Sequence, residues 1–408
     1  MRILVINSGS SSIKFRLVEV TEKRSGELTT EPATLEGSIK GIGAVASIEV
    51  RGQRMTHSKT SLDVRDHGEA LRVLFDRLGG SFGHIEAVGH RVVHGGDEYV
   101  ETTLITEQVE AGIDALSELA PLHNPACLAG IRAAKAVLGS SVPMAAVFDT
   151  AFHQTMPDVA RRYAIPADMA DRHRIRRYGF HGIAHASLAS GYATYAGKSL
   201  KETRLITLQL GNGCSAAAIA QGKSLETSMG FTPLEGLVMG TRSGDVDASI
   251  VGYLSEREKV EPVEVERWLN ERSGLLGLSG RSNDMKELLR AAEKEQDERA
   301  EFAIELFCYR VRKYLGAYFA VLGGADAIVF GGGIGENAPE IRRRICNDMS
   351  WCGIRIDPDR NRAAVGLKPG SASKISTDDS MLMVYMVAAD EESWIAKETA
   401  RCVRATCS

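Results

Sequence analysis

Two stretches of this chain repeat one pattern, and the repeat limits what the chain can fold into. Ile3-Leu4-Val5-Ile6-Asn7-Ser8-Gly9-Ser10-Ser11-Ser12 is an apolar run followed by a small polar turn, with apolar residues resuming at Ile13, Phe15, Leu17 and Val18. Leu205-Ile206-Thr207-Leu208-Gln209-Leu210-Gly211-Asn212-Gly213-Cys214-Ser215 does the same, and a second apolar run follows at 216–219. Each reads as a strand-turn-strand unit opening one half of the molecule. A duplicated α/β fold with a cleft between its halves follows. A third turn, Gly331-Gly332-Gly333-Ile334-Gly335-Glu336-Asn337, ends an apolar run at 327–330 and starts a helix. No strand-helix-strand unit is read there. The stretch Gly331-x-Gly333-x-x-Glu336 also lacks the last glycine of the dinucleotide fingerprint.

At 408 residues the chain is long enough for two or three domains, each with its own core. Its net charge of -4 gives no general attraction for nucleic acid or an anionic membrane. Any phosphate binding must come from local design. The seven cysteines are scattered, with no C-x-x-C pair, as expected of reduced thiols in cytosol. Met1 runs straight into Ile3-Leu4-Val5-Ile6 without a cleavable signal pattern, and no apolar run is long enough to span a bilayer. A cytoplasmic location is expected.

Several helices are readable. Asn124-Pro125 reads as an N-cap with proline at the first helical position, for a helix through Leu138 that stops at Gly139. Leu71, Leu74, Phe75 and Leu78 fall at helical spacing before Gly79-Gly80. A long helix is expected at 298–322, ended by Gly323-Gly324, with Ala303, Phe307, Val311, Tyr314, Leu315, Tyr318 and Leu322 on its apolar stripe. The last strand is read at 382–387, and the last helix starts near Asp390.

Phosphate oxygens need closely spaced N–H donors, and glycine lets backbone approach them. The turn from Asn7 to Ser12, followed by Lys14 as a point charge, has this chemistry without being a Walker A loop. The turn Leu210-Gly211-Asn212-Gly213 is equally a plain Asn-Gly hairpin turn. The third turn opens a helix, whose N-terminus attracts anions. Three glycine turns, each after a strand, point together to a phosphate site.

Other chemistry lies between these turns. Arg91, in Gly89-His90-Arg91-Val92-Val93-His94-Gly95-Gly96, is a charge in an otherwise apolar strand. Arg242, in Thr241-Arg242-Ser243-Gly244-Asp245, sits in a loop. The arginine fork suits carboxylate and phosphate oxygens. Asp149 follows an apolar run at a strand's carboxyl end, where an acid serves metal, acid–base or turn roles. His181 and His185 lie four apart, as do His90 and His94, but neither pair shows a third metal ligand. Glu391 lies at a helix start, which favours an acid on dipole grounds alone.

In order along the chain, these motifs resemble the acetate kinases, of the acetate and sugar kinase, actin and heat-shock ATPase superfamily. Pro121-Leu122-His123-Asn124-Pro125, Phe148-Asp149-Thr150-Ala151-Phe152-His153, Tyr178-Gly179-Phe180-His181-Gly182 and Met229-Gly230-Phe231-Thr232-Pro233-Leu234-Glu235-Gly236 belong to the same likeness. The resemblance covers nearly the whole chain. It implies an α/β protein of two domains of duplicated ribonuclease H-like (actin-like ATPase) fold, with a nucleotide cleft between them. Residues 1–150 plus 388–408 would form the acceptor and metal side, and 151–387 the nucleotide-binding domain.

The implied roles are specific. Asn7 and Glu391 would hold Mg2+, with Mn2+ as a substitute. Ser12, Lys14, Gln209, Leu210, Gly211, Asn212 and Gly213 would touch the phosphates of ATP or ADP. Gly332, Gly333, Ile334, Gly335 and Glu336 would receive the adenosine side, with Asp284, Met285 and Lys286 lining the same site. Arg91 and Arg242 would grip the acceptor and the transferring phosphoryl group. Asp149 would be the catalytic acidic residue, orienting metal, water or an arginine instead of removing a proton, and His181 would stabilise the transition state. Val93, Leu122, Phe180 and Pro233 would enclose the acceptor's methyl group. A homodimer is implied, with acetate and acetyl phosphate as the other reactants. The family usually carries histidine at Gln209, threonine at Gly331, arginine at Lys286 and asparagine at Asp390. The first three departures bear on nucleotide preference. The rival readings are a propionate or butyrate kinase, a conformational ATPase of the same superfamily, and a metal hydrolase using the histidine pairs.

Overall fold

A computed structural model describes residues 1–9, 12–43, 45–52, 55–121 and 123–407, so Ser10, Ser11 and Leu122 of the motifs above lie outside the described residues. The chain divides into two compact units, Met1–Phe152 with Glu391–Ser408, and His153–Asp390.

In the first unit the strands are β1 (Arg2–Ser8), β2 (Ser12–Glu22), β3 (Leu28–Thr30), β4 (Leu35–Lys40), β5 (Val45–Gly52), β6 (Met55–Asp63), β7 (Ala87–Val92), β8 (Thr103–Leu104) and β9 (Met144–Phe148). Their order is β6-β5-β4-β2-β1-β7-β9-β8, with β3 paired to β2. β1 and β2 form an antiparallel hairpin, while β7 and β9 continue from β1 in parallel. β7 and β9 are almost wholly buried, as parallel strands covered on both faces must be. Leu71, Leu74 and Phe75 of the His67–Phe82 helix and Ala133 and Ala134 of the Asn124–Leu138 helix pack with Leu4, Ile6 and Val88. Gly89, pointing to the other face, backs onto the Glu391–Cys407 helix at Ile395 and Thr399.

The second unit holds β10 (Arg204–Leu210), β11 (Cys214–Ala220), β12 (Lys223–Thr227), β13 (Ala327–Gly331), β14 (Ala372–Lys374) and β15 (Met383–Val387). Their order is β12-β11-β10-β13-β15-β14. Again a central strand forms an antiparallel hairpin with its successor and a parallel pair with a later strand. β10 thus stands to β11 and β13 as β1 stands to β2 and β7. The repeat in the sequence is a repeat of topology.

The long helix runs Glu298–Leu322, with Asp297 accepting from the backbone N–H of Arg299 and Ala300 and Gly323 turning left-handed at its end. Three sequence readings need correction. A strand-helix-strand unit does open at β13, because helices Gly332–Asn337 and Pro339–Cys346 lead on to β15, which lies parallel beside β13. The return strand is masked in the sequence by the intervening Pro358–Ala363 helix and β14. The helix expected to stop before Gly79-Gly80 continues to Phe82. Each helical glycine costs about 1 kcal/mol against alanine, which the buried face of Leu71, Leu74 and Phe75 outweighs. Asn124 is not an N-cap: that position is His123. The Asn124 side chain instead accepts from His94 N at 3.1 Å and donates to His94 O at 3.1 Å. Among the described residues no helix is long and apolar enough to cross a membrane.

Candidate active site

Strand register sets one row of side chains across the first sheet. Lys14 faces Asn7, Asn7 faces Arg91, and Arg91 faces Val147, two residues before Asp149. Arg91 Nη2 donates to Asp149 Oδ2 at 2.8 Å, and Nη1 donates to Asn7 Oδ1 at 3.3 Å. Burial alone would weaken the arginine's hold on its proton; Asp149 and Glu391 more than offset this and keep it charged. Glu391 opens the helix on the Gly89 face of the sheet. Loss of hydration pushes its carboxyl up to about 7, against the pull of Arg91 and Lys14, with Glu392 and Asp149 adding to the rise. Gly9 N donates to Ser12 O at 2.8 Å, and Lys14 is exposed. The structure therefore brings Asn7, Lys14, Arg91, Asp149 and Glu391 together. Val93 is buried just beyond β7.

In the second unit the groups gather round the turn between β10 and β11. A Cβ placed on Gly213 would lie 3.3 Å from His181 Cε1, 3.4 Å from His181 Nε2 and 3.4 Å from Arg242 Nη1. Gly240 N donates to Asn212 O at 2.9 Å, tying the arginine loop to the turn. Asn283 Nδ2 donates to Asn212 Oδ1 at 3.2 Å, bringing the segment before Asp284 to the same place. Asp284 caps the Met285–Glu295 helix, Met285 is buried, and Lys286 is exposed. Gly332 has φ +75°, and a Cβ there would come 2.6 Å from Leu210 O, so only glycine allows the third turn to lie against the second. Gly211 also stands close to Gly333 N. The Glu336 carboxylate is engaged by the backbone, accepting from Gly332 N and Ala389 N, each at 3.1 Å. Phe180 is buried, and its carbonyl lies 3.0 Å from His153 Nε2. The Pro233 carbonyl accepts from Arg242 Nη1 at 3.4 Å.

Arg242 is electrostatically unusual. Besides Pro233 O it donates to Met239 Sδ at 3.7 Å, and among the described residues no carboxylate pairs with it. Burial lowers its proton affinity, with only Cys214 acting the other way. A guanidinium in such a place is short of an anion.

The sequence profile of the acetokinase family matches residues 2–397. The chain belongs to the acetokinase family. It is 46% identical to the acetate kinase of Solibacter usitatus over 412 residues, covering 99% of this chain and 98% of that one. The crystal structure of Porphyromonas gingivalis acetate kinase is 38% identical with a TM-score of 0.89, covering 98% of this chain and 99% of the other. A propionate kinase structure from Francisella tularensis is 37% identical with a TM-score of 0.88 at the same coverage. The fold is thus that of acetokinases, two α/β domains of actin-like ATPase type.

Two of the four departures, Gln209 and Gly331, fall in one row. Gln209 pairs with Gly331 across β10 and β13 and with Ser215 across β10 and β11. A Cβ at Gly331 would come 2.3 Å from Leu188 Cδ2, so Leu188 fills the space a larger residue would take. Position 331 points at a helix, which makes that departure a matter of packing. Gln209 Oε1 is buried and, among the described residues, has no hydrogen-bond partner.

Sequence reasoning missed the groups that hold these side chains. Arg177 Nη1 donates to the carbonyls of Thr227, Ser228 and Met229, and its Nη2 donates to Glu235 Oε1 at 2.5 Å. Tyr163 also donates to Glu235. Gly236 N donates to Asp245 Oδ1 and Tyr314 OH to Asp245 Oδ2, both at 2.8 Å. These bonds close the loop that carries Arg242. The His181-x-x-x-His185 spacing was visible, but both rings turn to the Ser215 hydroxyl, at 2.9 and 2.8 Å. Among the described residues no group of three or more His, Cys, Asp or Glu gathers to hold a metal ion.

Proposed function

We propose that this acetokinase moves the terminal phosphoryl group of ATP reversibly to acetate, giving acetyl phosphate and ADP, with magnesium as the metal. The observation that carries the reading is Arg242: a half-buried guanidinium with no carboxylate partner among the described residues, beside the glycine turn at Gly213. A transferring phosphoryl group is the anion such a site suits.

Acetate is ionised at neutral pH, so no general base is required. The difficulty is bringing two anions together, and cationic groups offset that repulsion. Arg91, held rigid by Asp149 and Asn7, is assigned the acceptor carboxylate. Asp149 orients Arg91 and takes no proton. Arg242 and His181 stabilise charge on the equatorial oxygens of a loose, in-line transition state. The Gly211, Asn212 and Gly213 turn takes the phosphates, with Ser12 and Lys14 supporting them, and the Gly332–Asn337 helix start with Asp284, Met285 and Lys286 takes the nucleoside end. Val93, Phe180, Pro233 and Leu122 are assigned to the methyl group.

The residues present fit a hard divalent cation. Glu391 and Asn7 offer oxygen donors, and the Glu391 carboxyl is raised to about 7 for want of hydration, a cost a bound cation would relieve. Magnesium is commonly held by one or two carboxylates, waters and substrate phosphates, and it would neutralise phosphate charge. A cytosolic homodimer completes the proposal.

Hydroxylamine trapping tests it. Acetohydroxamate should form only with ATP, magnesium and acetate together. A folded chain that yields none sinks the reading. The relatives support acetate, with the propionate kinase structure at 37% identity marking the alternative acceptor. One methylene is worth about 1–3 kcal/mol, so kcat/KM must be compared across acetate, propionate and butyrate.

A further inference from the structure

Behind His181 lies a line of buried polar groups that the expected site did not include. Thr207, His185 and Ser215 are all fully buried. Thr207 Oγ1 is 2.7 Å from His185 Nδ1, His185 Nε2 is 2.8 Å from Ser215 Oγ, and Ser215 Oγ is 2.9 Å from His181 Nδ1. The far edge of the His181 ring lies against Gly213, beside Arg242.

The proton order along this line can be worked out. Among the described residues, His185 is the one side-chain partner of the Thr207 hydroxyl. Were His185 to donate from Nδ1, the Thr207 hydrogen would be buried without an acceptor, at about 1–3 kcal/mol. Thr207 therefore donates to Nδ1. His185 is neutral, since burial drives its proton affinity well below the usual histidine range and His153 and His181 act the same way. A neutral imidazole carries one proton, so that proton is on Nε2 and is donated to Ser215 Oγ. The single Ser215 hydrogen is then directed to His181 Nδ1. With Nδ1 accepting from Ser215, the proton of the His181 ring is on Nε2, the edge facing Gly213. His153 is held by the same logic, with Nε2 donating to the Phe180 carbonyl at 3.0 Å and Nδ1 accepting from Ser224 at 2.8 Å.

We propose that Thr207, His185 and Ser215 are positioning residues that fix His181 as an Nε2–H donor toward the transferring phosphoryl group. Phosphoryl oxygens accept hydrogen bonds, so the opposite tautomer would present a lone pair to an anion. This rests on the phosphotransfer reading for its purpose, but the tautomer itself is a property of the folded chain.

The test is ring nitrogen-15 NMR of the full chain with the His181 signal assigned, together with kinetics of Ser215→Ala and Ser215→Thr. Wild-type His181 should show a protonated Nε2 and an accepting Nδ1. Ser215→Ala should shift that population toward Nδ1–H and lower kcat by about tenfold or more, with KM for ATP and acetate within about threefold. Ser215→Thr keeps the hydroxyl and should restore both the tautomer and kcat. A wild-type ring protonated on Nδ1 overturns the proposal whatever the variants do. So does Ser215→Ala with the wild-type tautomer and wild-type kcat. An intact Nε2–H signal in a chain inactive on acetate would instead count against the acceptor assignment.

Discussion

Arg91 Nη2 and Asp149 Oδ2 stand 2.8 Å apart, with the arginine side chain 17% exposed and the aspartate 2%. An ion pair this far from water is held by its partners in both directions. Among the described residues, removing the carboxylate leaves the guanidinium with the Asn7 amide oxygen and the Glu391 carboxyl as its remaining polar neighbours. Asp149→Ala should therefore destabilise the chain by about 3 kcal/mol, the low end for a broken buried pair because Arg91 keeps some exposure. Asp149→Asn should cost less, since the amide oxygen can still accept. Urea unfolding at pH 7.5 reads the difference, and equal losses in the two variants would contradict it.

Much of this was legible beforehand, for a physical reason. Arg91 is a charge in the apolar strand β7, and Asp149 follows the apolar strand β9. Parallel strands end together at one edge, so charges at their carboxyl ends must meet or be separately solvated. The repeated hairpins at β1 and β10 were legible because a glycine turn between two apolar runs has few other solutions. What stayed hidden was long-range. The bonds of Arg177 to the 227–229 carbonyls and of Asp245 to Tyr314 join segments with no local pattern in common. The Asn124 side chain was misread because an asparagine before proline looks like a cap, and only tertiary contact with His94 sends it elsewhere. The crossover after β13 failed for the same reason, since β15 comes far later in the chain.

His90 sets a pH dependence. The residue is 2% exposed, its Nε2 has no partner among the described residues, and burial drives its pKa down to about 3. An unfolded histidine titrates near 6.5. Between those values the unfolded chain binds a proton that the folded chain refuses, so stability falls as pH falls, by about 1.4 kcal/mol per unit. Above about pH 6.5 the effect vanishes. His185 acts in the same direction. Unfolding midpoints should thus drop from pH 7.5 to 5.5 in wild type and drop less in His90→Phe. A variant with the full wild-type slope would remove His90 from the account.

Gly89 tests the seat of the Glu391 helix. A Cβ there would lie 2.4 Å from Thr399 Oγ1 and 2.9 Å from Ile395 Cγ2. Gly89→Ala must push the helix off β7 or force those side chains aside, at about 1–3 kcal/mol. Because Glu391 opens that helix, the magnesium concentration needed for half-maximal turnover should rise as well. Thr399→Ala added to Gly89→Ala should recover part of both losses. Unfolding curves and magnesium titrations measure them, and an unaltered Gly89→Ala enzyme would mean that the helix is not seated through this contact.

Arg242 gives the sharpest separation of stability from turnover. Among the described residues its hydrogen bonds reach only the Pro233 carbonyl at 3.4 Å and the Met239 sulfur at 3.7 Å, both weak by length. The loop around it is closed by other groups, Asp245 with Tyr314 and Gly236. Partial burial with no carboxylate partner among the described residues also makes the guanidinium costly to the resting fold. Arg242→Ala should therefore leave the unfolding midpoint unchanged or slightly higher, while turnover falls roughly 10³-fold or more through loss of charge at the transferring phosphoryl group. Arg242→Lys restores a charge but not the planar fork and should recover only part of that loss. Parallel unfolding curves and kcat measurements decide it. If Arg242→Ala lost stability and activity together, the residue would be a structural pin, and the anion site assigned to it would have to lie elsewhere.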